Sequence, residues 1–192
     1  MTDKEFQTAI SLLSKGDKGA LRQIYEAYIR FIYAVVYDTV KRREDAEDIT
    51  SEFFIKLVRV AGTYKKGTSH RAWMAAIAKN MAIDALRKSN REVLESAFTD
   101  DDTGENSYID NKSSQATNEA SVEDKAILSE DMKNAMGTLN DNEREIIDLK
   151  LLGGLKFKEI AHMLGQPMGT VTWLYNQGIK KLRRCLSDYE RE

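Results

Sequence analysis

Hydrophobic positions recur along most of this chain at steps of three and four, the repeat of helices with one buried face. The first run covers residues 4 to 14, with Phe6, Ile10 and Leu13 on one side. Lys15-Gly16-Asp17 breaks it. A longer helix is predicted from Lys18 to Val40, with Leu21, Ile24, Tyr28, Phe31, Ile32 and Val35 as its stripe. The charged cluster KRREDAED leads into a third helix over Arg43 to Val60. Ala46, Ile49, Phe53, Leu57 and Val60 turn inward there, while Asp45, Asp48 and Glu52 share another face. Phe54, beside that acidic row, is expected to be partly exposed. Residues Ala61 to Ser69, AGTYKKGTS, interrupt the period as a flexible, basic, aromatic loop. A fourth helix follows from His70 to Ser89. Met74, Ile77, Ala78, Met81 and Ala85 make one face of it; Trp73, Ala76, Asn80, Asp84 and Arg87 make a neighbouring one.

From Glu92 to Asn118 the periodicity disappears, and Asp, Ser, Thr and Asn dominate. That composition predicts a disordered acidic linker, residues 92–118, between an N-terminal domain of residues 1–91 and a C-terminal domain of residues 119–192. The second domain opens with a helix containing Val122, Leu128, Met132, Ala135 and Met136 and ending by Gly137. Asn140 and Glu143 have capping-box spacing and start a helix through Leu152, with Ile146, Ile147, Leu149 and Leu151 as apolar positions. Gly153-Gly154 ends it. Phe157 to Arg184 then has the form helix, tight turn, helix. Ala161 permits close crossing, Gly165 suits a turn with positive φ, and Val171 and Leu174 seat the second helix. Pro167 falls in the turn, and Gly169 and Thr170 are expected to begin the second helix, with Thr170 as its cap. The fold class is therefore all-α: an N-terminal helical bundle and a C-terminal four-helix domain with a helix-turn-helix.

A plain helical hairpin satisfies the same spacing, so the surface decides. Thr172, Trp173 and Asn176 project from the start of the last helix, where base edges are reached; Lys180, Lys181, Arg183 and Arg184 crowd its end, where phosphates are met. The formal net charge is −2, unusual for a DNA binder. The charge is segregated, however. Lys65, Lys66, Arg71, Lys79, Arg87, Lys88 and Arg91 stand against Asp84 alone between Thr63 and Arg91, and acids fill the stretch after it. Such a chain is expected to bind nucleic acid when a partner positions it. Tyr64 and Trp73 beside Lys65 and Lys66 offer stacking and phosphate contact together. Asp45, Asp48 and Glu52 also suit the positive end of the helix dipole, a purely structural role. The one cysteine, Cys185, cannot form an internal disulfide, which fits a reducing cytoplasm. No apolar run approaches the roughly 20 residues that span a bilayer, and the polar start MTDKEFQTAI does not have the form of a signal peptide. His70 and His162 lie far apart in sequence without ligand spacing, and no catalytic or cofactor motif is present, so neither a metal, a cofactor, a small-molecule substrate nor an enzymatic activity is expected.

Three segments resemble bacterial RNA polymerase sigma factors of the extracytoplasmic-function (ECF) type. DAEDITSEFFIKL, from Asp45, is similar to the segment that docks on the polymerase clamp helices. WMAAIAKNMAIDALRKSNR, from Trp73, is similar to the helix that recognises the −10 promoter element. LNDNEREIIDLKLLGGLKFKEIAHMLGQPMGTV, from Leu139, is similar to the domain that reads the −35 element. The resemblance implies that Asp45, Asp48, Glu52 and Phe53 belong to the polymerase-docking helix. It implies that Tyr64, Lys65 and Lys66 lie in a loop that captures an extruded base, and that Asn80 and Arg87, with Arg71 and Trp73 near them, meet the −10 side. Thr170, Thr172, Trp173 and Asn176 then face the −35 major groove, with Lys180 and Arg183 on phosphate. The implied partners are core RNA polymerase and promoter DNA, duplex and unpaired, with an anti-sigma factor as a further one. Where the family often carries a basic residue, this chain has Thr172, Trp173 and Leu174. Two other readings remain open on the sequence: a helix-turn-helix regulator that binds DNA without polymerase, and a protein–protein adaptor.

Overall fold

The computed structural model describes residues 1–99 and 130–189, and it places side chains for 1–91 and 134–185. Eight α-helices make up the described chain, with no strand among the described residues. α1 (Asp3–Leu13), α2 (Lys18–Val40), α3 (Arg43–Val60) and α4 (His70–Thr99) form the N-terminal half; α5 (Glu130–Gly137), α6 (Asp141–Leu151), α7 (Phe157–Leu164) and α8 (Met168–Tyr189) form the C-terminal half.

Local chemistry fixes most boundaries. Thr2 and Glu5 cap α1 reciprocally. Gly16 takes φ 90° in the following turn, and Asp17 Oδ1 accepts the Gly19 and Ala20 amides at 2.7 and 3.1 Å to start α2. Asn140 and Glu143 form the expected capping box at the head of α6, with bonds of 2.8 and 3.0 Å. Gly165 adopts φ 63° at the end of α7, the left-handed turn that separates α7 from α8.

α2 is the axis of the molecule. Ile24, Tyr28, Phe31, Ile32 and Val35 are buried along it, and α1, α3, α4 and α6 all pack on it. One core therefore continues from Phe6 through Phe31 and Phe53 to Ile146, Leu155, Ile160 and Leu174. A smaller cluster of Ala135, Leu139, Ile147 and Leu182 sits under α5 and α8. At ~1.5–3 kcal/mol per fully buried large side chain, the α2 stripe is the main hydrophobic contribution to the fold.

Four sequence expectations are corrected. Phe54 is buried, not partly exposed: the Tyr25 ring of α2 lies 4.8 Å from its ring and covers it. α4 does not end at Ser89; it continues through REVLESAF, rich in good helix formers, into the stretch expected to be linker. The remainder of that stretch, with Val122 and Leu128, lies outside the described residues. Thr170 does not cap α8, because the helix starts at Met168 and Thr170 falls inside its first turn. Leu151 of α6 points outward with Leu152.

Candidate nucleic-acid interface

α8 presents two opposite faces. Val171, Leu174 and Leu182 are buried, and Gly178 lies so close to α6 that a Cβ there would come within 2.5 Å of Ile147 Cδ1. The outer face carries Thr170, Trp173, Asn176, Lys180 and Arg183, all exposed. Their steps of three and four align them on one ridge, about 20 Å long at 1.5 Å per residue. An indole and an amide lie at its head and cations at its tail, an order suited to base edges first and phosphates next. Trp173 is 59% exposed, so it does not serve the core. Thr172 is half-buried, and its hydroxyl donates to the Met168 carbonyl at 2.9 Å, which places it beside the ridge. Lys181 turns back toward α6 and pairs with Glu143 at 2.6 Å.

The loop before α4 is held from beneath. Tyr64 packs edge-on to Phe6 at 5.3 Å and tilts against Trp73 at 5.2 Å. Its hydroxyl donates to the Thr68 carbonyl at 2.8 Å, and burial pushes the phenol pKa up, so it stays a donor. Lys65 and Lys66 stand exposed at the loop tip. The base of the loop rests on His70, which the sequence did not single out. His70 is 1% exposed, stacks on Phe6 at 4.3 Å, and lies 2.5 Å from the Tyr28 hydroxyl and 2.7 Å from Asp3 Oδ1. Burial and the nearby Arg71 charge lower its pKa. The neutral ring suits this setting: one nitrogen faces Tyr28 and the other Asp3. Nothing in the spacing of residues 3, 28 and 70 announces the cluster.

Along α4, Trp73 is half-buried and forms a platform with Tyr64, while Ala76, Asn80, Asp84 and Arg87 are exposed in line with it. Arg87 lies 3.6 Å from Asp84, an exposed pair of little energetic weight. Arg71 does not join this face. It is half-buried, reaches the Met1 carbonyl at 3.4 Å and packs against Gly154. On α3, Asp48 and Glu52 are exposed, and Asp45 lies 3.5 Å from Arg42. Phe53 is 0% exposed, so it holds the helix in place from the core side. Ile55, 60% exposed, and Val58 extend that outer surface with apolar area.

Among the described residues, no group of His, Cys, Asp and Glu is arranged to hold a metal ion. No helix among them is long and apolar enough to cross a membrane.

Residues 24–92 match sigma-70 region 2, and residues 135–184 match sigma-70 region 4. The ECF RNA polymerase sigma factor BldN of Streptomyces coelicolor is 30% identical over 177 residues, covering 92% of this chain and 64% of that protein. The ECF RNA polymerase sigma factor SigW of Bacillus subtilis is 28% identical over 183 residues, covering 93% of this chain and 95% of that protein. The chain thus spans about two thirds of the length of BldN and nearly all of SigW. In fold it is similar to CnrH in complex with the cytosolic domain of CnrY, with a TM-score of 0.55 at 17% identity over 96% of this chain and 98% of that one. It is equally similar to the sigma factor RpoE in complex with the anti-sigma factor NepR from Bartonella quintana, with a TM-score of 0.55 at 20% identity over 86% of this chain and 96% of that one. Region 2 coincides with the helices that carry the basic loop and region 4 with those that carry the exposed ridge, and the chain belongs to the ECF family of RNA polymerase sigma factors.

Proposed function

We propose that this chain is a promoter-specificity subunit that mounts on core RNA polymerase, reads −35 and −10 elements and helps to melt the DNA between them and the start site. Catalysis belongs to the polymerase; this chain supplies the address. Residues 119–192 supply the −35 module and the helices through α4 the docking and −10 module, with the acidic stretch after α4 as a tether that DNA repels. The observation that supports the reading most directly is the exposed row Thr170, Trp173, Asn176, Lys180 and Arg183 on one side of α8. Trp173 and Asn176 stand exposed on it, and its cations lie where a phosphate backbone would run. Asp45, Asp48 and Glu52, with Ile55 and Val58 beside them, form the surface offered to polymerase. The complex of the sigma factor RpoE with the anti-sigma factor NepR favours an anti-sigma factor as a further partner, and promoter reading implies a cytoplasmic chain.

Run-off transcription with core polymerase tests this. Template-dependent start sites appear only when both are present; if the chain directs no start site, the reading fails. Tight sequence-specific binding by the free chain would instead favour a conventional regulator.

The loop before α4 has a separate test. Unpairing a base costs a few kcal/mol, and stacking with phosphate contact offsets it. Lys65→Ala with Lys66→Ala is expected to lower open-complex formation about tenfold and to flatten its log–log salt dependence by about 1.4, the share of two single-strand phosphates. Core binding stays unchanged. Equal loss in both measurements would remove the loop from strand capture.

A further inference from the structure

The loop before α4 stands on a buried imidazole to which DNA reading gives no task. His70 opens α4 directly after the loop, and it is 1% exposed. Phe6 of α1 stacks on its ring at 4.3 Å. The same Phe6 takes Tyr28 of α2 and Tyr64 of the loop edge-on, at 6.0 and 5.3 Å. His70 Nε2 lies 2.5 Å from the Tyr28 hydroxyl. Nδ1 lies 2.7 Å from Asp3 Oδ1, close but poorly aligned for a hydrogen bond. A carboxylate only accepts, so the neutral ring carries its proton on Nδ1 and accepts from Tyr28 at Nε2. The Met1 carbonyl, 3.4 Å from the same hydroxyl, is the poorer acceptor.

The loop is tied to this stack at both ends. Tyr64 rests on Phe6, and its hydroxyl reaches across the loop to donate to the Thr68 carbonyl at 2.8 Å. The Thr68 hydroxyl in turn donates to the Lys65 carbonyl at 2.7 Å. Next to His70, the Ser69 carbonyl accepts the Trp73 amide at 3.0 Å and the Ser69 hydroxyl accepts the Ala72 amide at 3.3 Å. Lys65 and Lys66 are therefore carried on a short span whose two ends share one aromatic cluster.

We propose that His70 is the positioning residue of this loop: the neutral ring, held between Tyr28 and Asp3, sets the direction in which Lys65 and Lys66 meet an unpaired strand. The inference rests on the strand-capture reading of the loop and names what holds the loop in place.

A charge on the ring would undo the arrangement. An imidazolium donates from both nitrogens, so Tyr28 would have to stop donating to Nε2 and turn its proton toward Met1. The new charge would also sit out of water, beside Arg71 and the N-terminal amine. Asp3 opposes them, but its side chain is 78% exposed and its charge is screened. Glu5 of α1 bears on Tyr28, and burial keeps the Tyr28 and Tyr64 phenols protonated. Burial first, and then Arg71, hold His70 below its ordinary 6.5. The set loop thus binds fewer protons than a loop freed from the ring. It is favoured above pH 6.5 and weakens as pH falls below that value.

Nuclear magnetic resonance titration of the full chain between about pH 5 and about pH 8 tests the role, and two histidines in the sequence keep the ring signals few. The backbone amides of Lys65 to Ser69 are expected to shift with the same midpoint as the His70 ring. Tyr28→Phe removes the donor to the neutral ring and is expected to raise both midpoints by about half a pH unit. Asp3→Asn removes the anion that favours the charged ring and is expected to lower both. His70→Phe keeps a ring on Phe6 and is expected to abolish the loop transition. In open-complex formation, read by permanganate attack on unpaired thymines, the wild type is expected to fall about two- to fourfold relative to His70→Phe between about pH 7.5 and about pH 6. That ratio cancels the response of the polymerase itself. Loop amides that stay still while the ring titrates, or that keep their transition in His70→Phe, would overturn the proposal. So would loop midpoints that ignore the opposite shifts in Tyr28→Phe and Asp3→Asn, two variants that leave the imidazole in place. The lysine pair decides the underlying reading separately. If Lys65→Ala with Lys66→Ala leaves open complexes intact, strand capture fails and the positioning role with it; if that variant loses them while the loop ignores His70, only the positioning role fails.

Discussion

Gly153→Ala is expected to lower the melting temperature of the chain by about 10 °C, although it adds only one methyl group. The new Cβ would stand 2.4 Å from Phe31 Cε2, 2.5 Å from the Leu149 carbonyl oxygen and 2.6 Å from Leu155 Cδ1. The Leu149 oxygen is backbone and accepts the Leu155 amide at 3.1 Å in the turn that ends α6, so it cannot retreat without breaking that turn. Phe31 and Leu155 are both buried core residues, and protein interiors hold few voids into which they could shift. Overpacking of this kind costs ~1–3 kcal/mol or more. For a chain of this length each kcal/mol moves the midpoint by about 2–4 °C. Thermal unfolding followed by circular dichroism measures it, and a midpoint within about 2 °C of wild type would mean that the turn yields freely. Gly154→Ala makes the contrasting control. It has φ 61°, a strained but accessible conformation for alanine, and its Cβ would meet the flexible end of Arg71 at 2.9 Å. Its cost is expected to be about 1 kcal/mol.

The contrast between these two glycines illustrates what the amino-acid pattern discloses. As a pair they read correctly as a helix stop, because that property is local. That only Gly153 is hemmed in depends on Phe31, 122 positions earlier in the numbering, and no period or propensity links the two. The same division runs through the molecule. α2 and α3 take the bounds their apolar stripes predict, Lys18–Val40 and Arg43–Val60, since a stripe and its caps are properties of neighbouring residues. Phe54 is misplaced by the same logic, because its cover comes from Tyr25 on another helix. Thr170 reads as a cap by residue type, yet α8 begins at Met168. On the functional side, the ridge of α8 was legible as a set of exposed polar and basic types at helical spacing. The pairing of Lys79 with Glu145 and the turn of Arg71 toward Gly154 were not, because a basic residue looks the same in sequence whether its charge is open to solvent or already held by another part of the chain. His70 was passed over for a related reason. Its partners Tyr28 and Asp3 come from two other helices, and only tertiary packing joins them.

Trp173→Ala is expected to reduce −35-dependent initiation about tenfold or more while leaving the melting temperature within about 2 °C of wild type. The two halves of that expectation have separate causes. Trp173 is 59% exposed and lies on the side of α8 away from Val171 and Leu174, and surface substitutions of that kind stay within about 0.5 kcal/mol. Alanine is also the better helix former. The functional loss follows from what the indole is placed to cover. It stands three residues after Thr170 and three before Asn176 on the exposed ridge, where a basic side chain paired with guanine is the commoner reader. On the proposed −35 reading, discrimination without that cation would fall to apolar contact with thymine methyls and to the fit of a large flat surface in the groove. Burying roughly 100 Å² of indole against DNA is worth about 2.5 kcal/mol at 25 cal/mol per Å², somewhat more than the 1.4 kcal/mol that corresponds to tenfold. Run-off assays on a −35-dependent promoter, and on one in which the −35 element is scrambled, measure the effect. The variant loses activity on the first and changes little on the second. Equal loss on both promoters would remove Trp173 from sequence reading, and a lowered melting temperature would return it to a packing role. Trp173→Arg extends the test: it keeps the helix and restores the cation the family often carries there, so it is expected to shift preference toward guanine at the contacted base pair.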